Sequence, residues 1–106
     1  MLGAFSYTPG YDATRRFLRD FPLPNHFAIV KACVDLAEHT HGDFAGAWVL
    51  QEARKSGVEW FPNLRSLVSY GILRRTDVTR GGRRAYYIMP DVEGVRAAIA
   101  EFAAGQ

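Results

Sequence analysis

Residues 60–90, WFPNLRSLVSYGILRRTDVTRGGRRAYYIMP, constrain the fold more than any other part of the chain. Trp60, Leu64, Leu67 and Val68 recur at spacings of four, three and one, which puts them on one face of a helix predicted over residues 60–70. Asn63, Arg65, Ser66 and Ser69 occupy the remaining surface, a polar face that is mostly uncharged. Pro62 suits the first turn, where its missing N–H costs little, and Gly71 suits the position just past the end, where the backbone often turns left-handed. Ile72 and Leu73 open an extended run with β-branched Thr76, Val78 and Thr79. Arg80-Gly81-Gly82-Arg83 supplies turn chemistry tolerant of positive φ, and residues 85–89 form a return strand that Pro90 ends. The expectation is a helix, a glycine stop and a hairpin over residues 73–89.

Charge sharpens this. The formal net charge of the chain is only +2. Residues 54–84 hold eight basic residues (Arg54, Lys55, Arg65, Arg74, Arg75, Arg80, Arg83, Arg84) against Glu59 and Asp77, giving +6, while the segments on either side are each −2. A local excess of this kind is an electrostatic footprint for phosphate, whatever the whole-chain balance.

Elsewhere the pattern is helical. At 106 residues, 48% hydrophobic and 23% charged, the chain suits one soluble domain with a modest core. Residues 1–24 form an aromatic-rich arm or short helix, with Phe17, Leu18 and Phe21 on the apolar side of a stretch over 12–20 that Pro22 and Pro24 close. Asn25 is placed to cap a helix over residues 26–39 with Ile29, Val30, Cys33, Val34, Leu36 and Ala37 inward, and His26 is expected at the surface. Asp43 is placed to cap a third helix over 44–56 with Phe44, Ala47, Trp48, Leu50 and Ala53 as core contacts and Gly57 as its stop. Asp91 caps a last helix over 92–103, striped by Val92, Val95, Ile99 and Phe102.

At Leu67-x-x-x-Gly71-Ile72-Leu73 the chain resembles the end of the recognition helix in bacterial and archaeal winged helix-turn-helix regulators, and Arg80-Gly81-Gly82-Arg83 resembles their wing tip. The resemblance implies a mostly α (α+β) fold: a three-helix core plus β-hairpin wing over residues 25–90, preceded by the arm at 1–24 and followed by a C-terminal helix at 91–106 of the kind many of these proteins use to dimerise. It also implies a transcriptional regulator whose partner is double-stranded DNA. Asn63, Arg65, Ser66 and Ser69 would then face the major groove, which admits one helix and in which Arg pairs with guanine and Asn with adenine. Arg80, Arg83 and Arg84 would hold the wing to backbone or minor groove, and Arg54 and Lys55 would touch the backbone beside the groove or interact with their own helix C-terminus. Arg74 and Arg75 are adjacent on a strand, so one at most faces a given partner.

The competing reading is a winged helix that binds protein without DNA, since a fold does not guarantee a function. No nucleotide-binding glycine loop, nucleophile elbow or nucleophile–base pair is present, so no enzyme and no catalytic residue is expected, and no cofactor. His39, His41, Asp43 and Cys33 fit no closed four-ligand spacing, so no metal is expected. Cys33 reads as a small core residue. The stripe of the last helix and the aromatic arm together offer more apolar surface than a three-helix core needs, which predicts a homodimer, suited to palindromic half-sites. With no apolar run of membrane-spanning length and no basic-then-apolar leader, no membrane association is expected and the cytoplasm is the expected location.

Overall fold

A computed structural model of the chain describes residues 8–40, 42–57, 59–76 and 85–105. The element order is α1 (Pro9–Asp20), α2 (Pro24–Thr40), β1 (Phe44–Ala45), α3 (Gly46–Arg54), α4 (Leu64–Tyr70), β2 (Arg74–Arg75), β3 (Tyr86–Ile88) and α5 (Val92–Ala104). The protein is thus mostly helical with a small antiparallel sheet, an α+β architecture. The sheet order is β1-β3-β2, with Phe44 opposite Tyr87 and Arg74 opposite Ile88. Residues 1–7 of the expected arm, with Phe5 and Tyr7, and residues 77–84, on which the expected hairpin turn falls, lie outside the described residues, as does His41; the rest of the arm is α1 and the entry to α2.

The core runs between the helices. Phe17 and Leu18 from α1, Ile29, Val30, Cys33 and Val34 from α2, Val49 and Ala53 from α3, Leu64 and Leu67 from α4, and Val95 and Ile99 from α5 form one cluster with Phe44, Ile72, Leu73 and Met89. The apolar spacings of α2 and α5 therefore point where their periodicity requires. Burial pushes the Cys33 thiol far up from its ordinary value, and no partner for it exists to form a disulfide.

The third helix starts later than expected. Phe44 and Ala45 pair with β3 instead of forming a first turn, and Gly46 N–H donates to the Ala85 carbonyl at 3.0 Å. Asp43 therefore does not cap α3, and Ala47 is exposed while Val49 takes the core position. A strand partner forty residues away satisfies those backbone groups, and local spacing carries no trace of it.

The helix expected from Trp60 also starts later, at Leu64. Asn63 is its N-cap, with extended φ/ψ and a side chain that accepts from Arg65 N–H at 2.9 Å, so Pro62 precedes the cap rather than entering the first turn. Trp60 does not share the helix face with Leu64 and Leu67; it is 59% exposed and belongs to the segment joining α3 to α4. Asn25 does not cap α2, which begins at Pro24; its side chain donates to the Trp60 carbonyl.

α1 and α5 lie side by side. The Asp91 carboxylate caps α5 through Gly94 N–H (3.0 Å) and also accepts from Gly10 N–H at the start of α1 (2.9 Å), while the Tyr11 hydroxyl donates to the Glu101 carboxylate at 2.7 Å. The apolar stripe of α5 is thereby covered within the chain by α1 and α2, with Val95 and Ile99 buried and Phe102 stacked on Phe27.

Candidate nucleic-acid interface

α4 is short, and isolated helices of its length are marginal in water. Its ends hold it. The Asn63 cap closes one end. At the other, Gly71 takes a left-handed φ of +94°, and the amides of Ile72 and Leu73 turn back to donate to the Leu67 carbonyl at 2.9 and 3.3 Å. Leu64 and Leu67 anchor it in the core, with Val68 and Tyr70 packed against the same cluster.

This anchoring leaves Arg65 and Ser69 exposed one turn apart, with Ser66 half-buried beside them and Asn63 exposed at the entry. Arg65 makes no ion pair among the described residues. The Ser69 hydroxyl donates to the Arg65 carbonyl at 3.1 Å and keeps its lone pairs for a partner. Asn63 is a cap as well as a candidate contact: its Oδ1 is engaged by Arg65 N–H, which leaves its two amide N–H donors for a partner.

Beyond Gly71, both Arg74 and Arg75 on β2 are exposed, because β2 is the edge of the sheet. Neither forms an ion pair among the described residues. Arg80, Arg83 and Arg84, the expected groove-binding residues of the hairpin, lie outside the described residues. Arg54 and Lys55 sit at the end of α3, across the connecting segment from Asn63. Arg54 is exposed and Lys55 pairs with Glu52 at 3.1 Å. The structure thus brings Asn63, Arg65, Ser66 and Ser69 onto one helix and its cap, with Arg74 and Arg75 following, and leaves Arg54 and Lys55 as a separate group.

Two supports of α4 have no counterpart in the sequence reading. The Tyr70 hydroxyl donates to Asp20 Oδ2 at the end of α1, at 2.6 Å. That bond lifts the Tyr70 hydroxyl above its ordinary value and holds the Asp20 carboxyl below its own. Tyr70 also packs edge-on against Phe17, with centroids 5.1 Å apart. Beneath the segment entering α4 lies His26, expected at the surface but only 5% exposed. Its ring stacks on Phe21 at 4.7 Å and lies 5.4 Å from Phe17 and 5.8 Å from Trp60. Burial lowers its imidazolium pKa, and Nδ1 has no hydrogen-bond partner among the described residues. The aromatic density of residues 17–27 was legible; that a histidine would complete the cluster beneath Trp60 required the fold.

Comparison with protein-family models, with curated proteins and with solved structures finds no match to this chain.

Proposed function

We propose that this chain is a DNA-binding transcriptional regulator of winged helix-turn-helix type and not an enzyme. The observation that carries the reading is the exposed face of α4, where Arg65 and Ser69 have no acidic partner among the described residues and stand directly ahead of exposed Arg74 and Arg75. The order α2-β1-α3-α4-β2-β3, with β3 between β1 and β2, supports a three-helix core carrying a hairpin wing. In this reading α4 enters the major groove, where Arg65 and the Asn63 amide address base edges and Ser66 and Ser69 address bases or phosphate. Arg80, Arg83 and Arg84 hold backbone or minor groove, and Arg54 and Lys55 add phosphate contacts. A homodimer would present two such helices to a palindromic site. Its interface is not assigned to α5, whose stripe α1 and α2 cover. No helix among the described residues is long and apolar enough to cross a membrane.

Titration of duplex DNA at two salt concentrations tests the reading, with Arg65→Ala and the combined Arg80/Arg83/Arg84→Ala change. Wild-type affinity should fall steeply with salt, by a slope of about 0.9 per phosphate neutralised, and both variants should bind more weakly at low salt. Affinity unchanged in both variants rejects it.

A second reading, a protein-binding winged helix without DNA contact, draws on the exposed Phe21, Leu23 and Trp60. Recovery of one defined protein partner with no retention on a DNA column favours it.

A further inference from the structure

We propose that His26 is a proton-sensitive latch: its neutral ring holds Trp60 and the segment entering α4, and protonation releases them. The consequence for DNA, weaker binding in mild acid, rests on the function proposed above.

The geometry carries the latch. His26 is the one buried residue with a side chain that titrates near neutral pH among the described residues. It joins three parts of the chain around one ring: Phe17 and Phe21 at the end of α1, its own helix α2, and Trp60 on the way to α4. Next to it, the Asn25 side chain donates to the Trp60 carbonyl, so two neighbouring residues in the first turn of α2 hold backbone and ring of Trp60 together.

Three features of the surroundings oppose a charge on the ring. The imidazole is buried, and its Nδ1 has no acceptor among the described residues. His26 lies in the first turn of α2, the positive end of the helix, and that turn holds no acidic residue. The ionisable groups on the packed elements are otherwise engaged or turned outward. Asp20 on α1 takes the Tyr70 hydroxyl and pairs with Arg19, and Arg16 pairs with Asp12. Lys31 on α2 pairs with Asp35, and Glu59 beside Trp60 is exposed. Arg65 on α4 is exposed as well. None of them hydrogen-bonds or ion-pairs with His26. The stacked Phe21 offers the cation some π attraction, but burial prevails and the imidazolium is disfavoured.

The sign follows. A held ring titrates below a released one, so the latch is fully engaged above about pH 6.5, the ordinary histidine value, and weakens as pH falls through it towards the lower held value. Each unit between the two values changes the balance of held and released forms by about tenfold.

The test follows the His26 ring carbon proton and the Trp60 indole N–H by NMR between about pH 7.5 and 5, using the full chain. His26→Phe keeps a ring in the cluster and removes the titration, and it identifies the His26 resonance. The expected result is a His26 midpoint below about 6.5, a Trp60 shift with the same midpoint, and a flat Trp60 in His26→Phe. A His26 midpoint at or above the ordinary value overturns the latch, as does a Trp60 signal that ignores His26 in the wild type. Sequential assignment of the wild type distinguishes His26 from His39 and His41 as well, so the wild-type pair of titrations decides this even if the variant fails to fold. Duplex DNA binding over the same range separates the two claims. Absence of binding at every pH rejects the DNA reading and leaves the latch to the NMR result. Binding with the same pH dependence in wild type and His26→Phe rejects the link to α4.

Discussion

The backbone amide of Gly10 donates to the Asp91 carboxylate at 2.9 Å, across 81 positions of sequence. The other carboxylate oxygen caps α5 through Gly94. One side chain therefore starts two helices and sets them side by side. Partial burial pushes the Asp91 carboxyl up, but hydrogen bonds from Thr8, Gly94, Gly10 and Tyr11 outweigh it and hold the carboxyl below its ordinary value.

Asp91→Ala should lose the cap and strand the Gly10 amide, a destabilisation of about 1–3 kcal/mol in urea unfolding. Because the folded pKa of Asp91 is depressed, its contribution is present above the unfolded value of about 3.9 and is lost as pH falls through the folded one. Unfolding midpoints taken between about pH 6 and 2.5 should decline less steeply in Asp91→Ala than in wild type.

Gly94→Ala should also destabilise, although alanine is the better helix former by about 1 kcal/mol. A methyl group there would collide with the Asp91 carboxylate and the Thr8 hydroxyl. At Gly10 an added carbon would stand 2.7 Å from Asp91 Cβ and 2.9 Å from its carbonyl oxygen. Each change should lower the unfolding free energy by about 1–3 kcal/mol, the usual cost of overpacking. A gain in either variant would refute the close approach of α1 to α5.

Gly71→Ala tests the exit from α4 by a different mechanism. The added carbon would meet only Ala13 Cβ, at an ordinary 3.8 Å, so space is not the obstacle. The φ of +94° is, and a loss of about 1–2 kcal/mol in thermal or urea unfolding is expected.

Asn63 carries two roles that different substitutions separate. Asn63→Ala removes the cap and should cost about 0.5–2 kcal/mol of stability. Asn63→Asp retains the capping oxygen and should leave stability near wild type, while removing the amide donors and adding a negative charge at the proposed DNA face. Duplex affinity in Asn63→Asp should fall by about 5- to 150-fold, the range of one base contact at about 1–3 kcal/mol.

Tyr70→Phe and Asp20→Asn should each loosen the end of α4 from α1. The hydrogen bond to Asp20 raises the Tyr70 pKa as the bond to Glu101 raises that of Tyr11, so alkaline absorbance titration should show both ionising late in wild type and one of the two moving down in Asp20→Asn. A wild-type titration unaffected by Asp20→Asn would show that the pair does not form.

Much of the helical framework was legible because local chemistry specifies it. The Asp91 cap, the glycine stop at Gly71 and the inward faces of α2 and α5 all follow from spacing and end-residue preference, whereas α3 ends at Arg54 with Lys55 as its cap, ahead of the expected stop at Gly57. Helix starts were less so. Phe44 and Ala45 read as helix because their partner, β3, is remote. Trp60 read as part of the α4 face because its spacing fits, whereas its ring sits against His26. Of the candidate site, the polar face of α4 was legible from periodicity. The capping role of Asn63 and the pairing of Lys55 with Glu52 were not.

By itself the sequence determined most of the helical framework, the inward faces of α2 and α5 and where positive charge collects, because each depends on residues a few positions apart. Only the tertiary structure decided that α1 covers α5, that Asp20 holds Tyr70 and that a histidine lies buried beneath Trp60. Those contacts join residues 35 to 81 positions apart or reverse a residue's exposure. Local preference cannot encode them, because they form only when several helices exclude water from one core together.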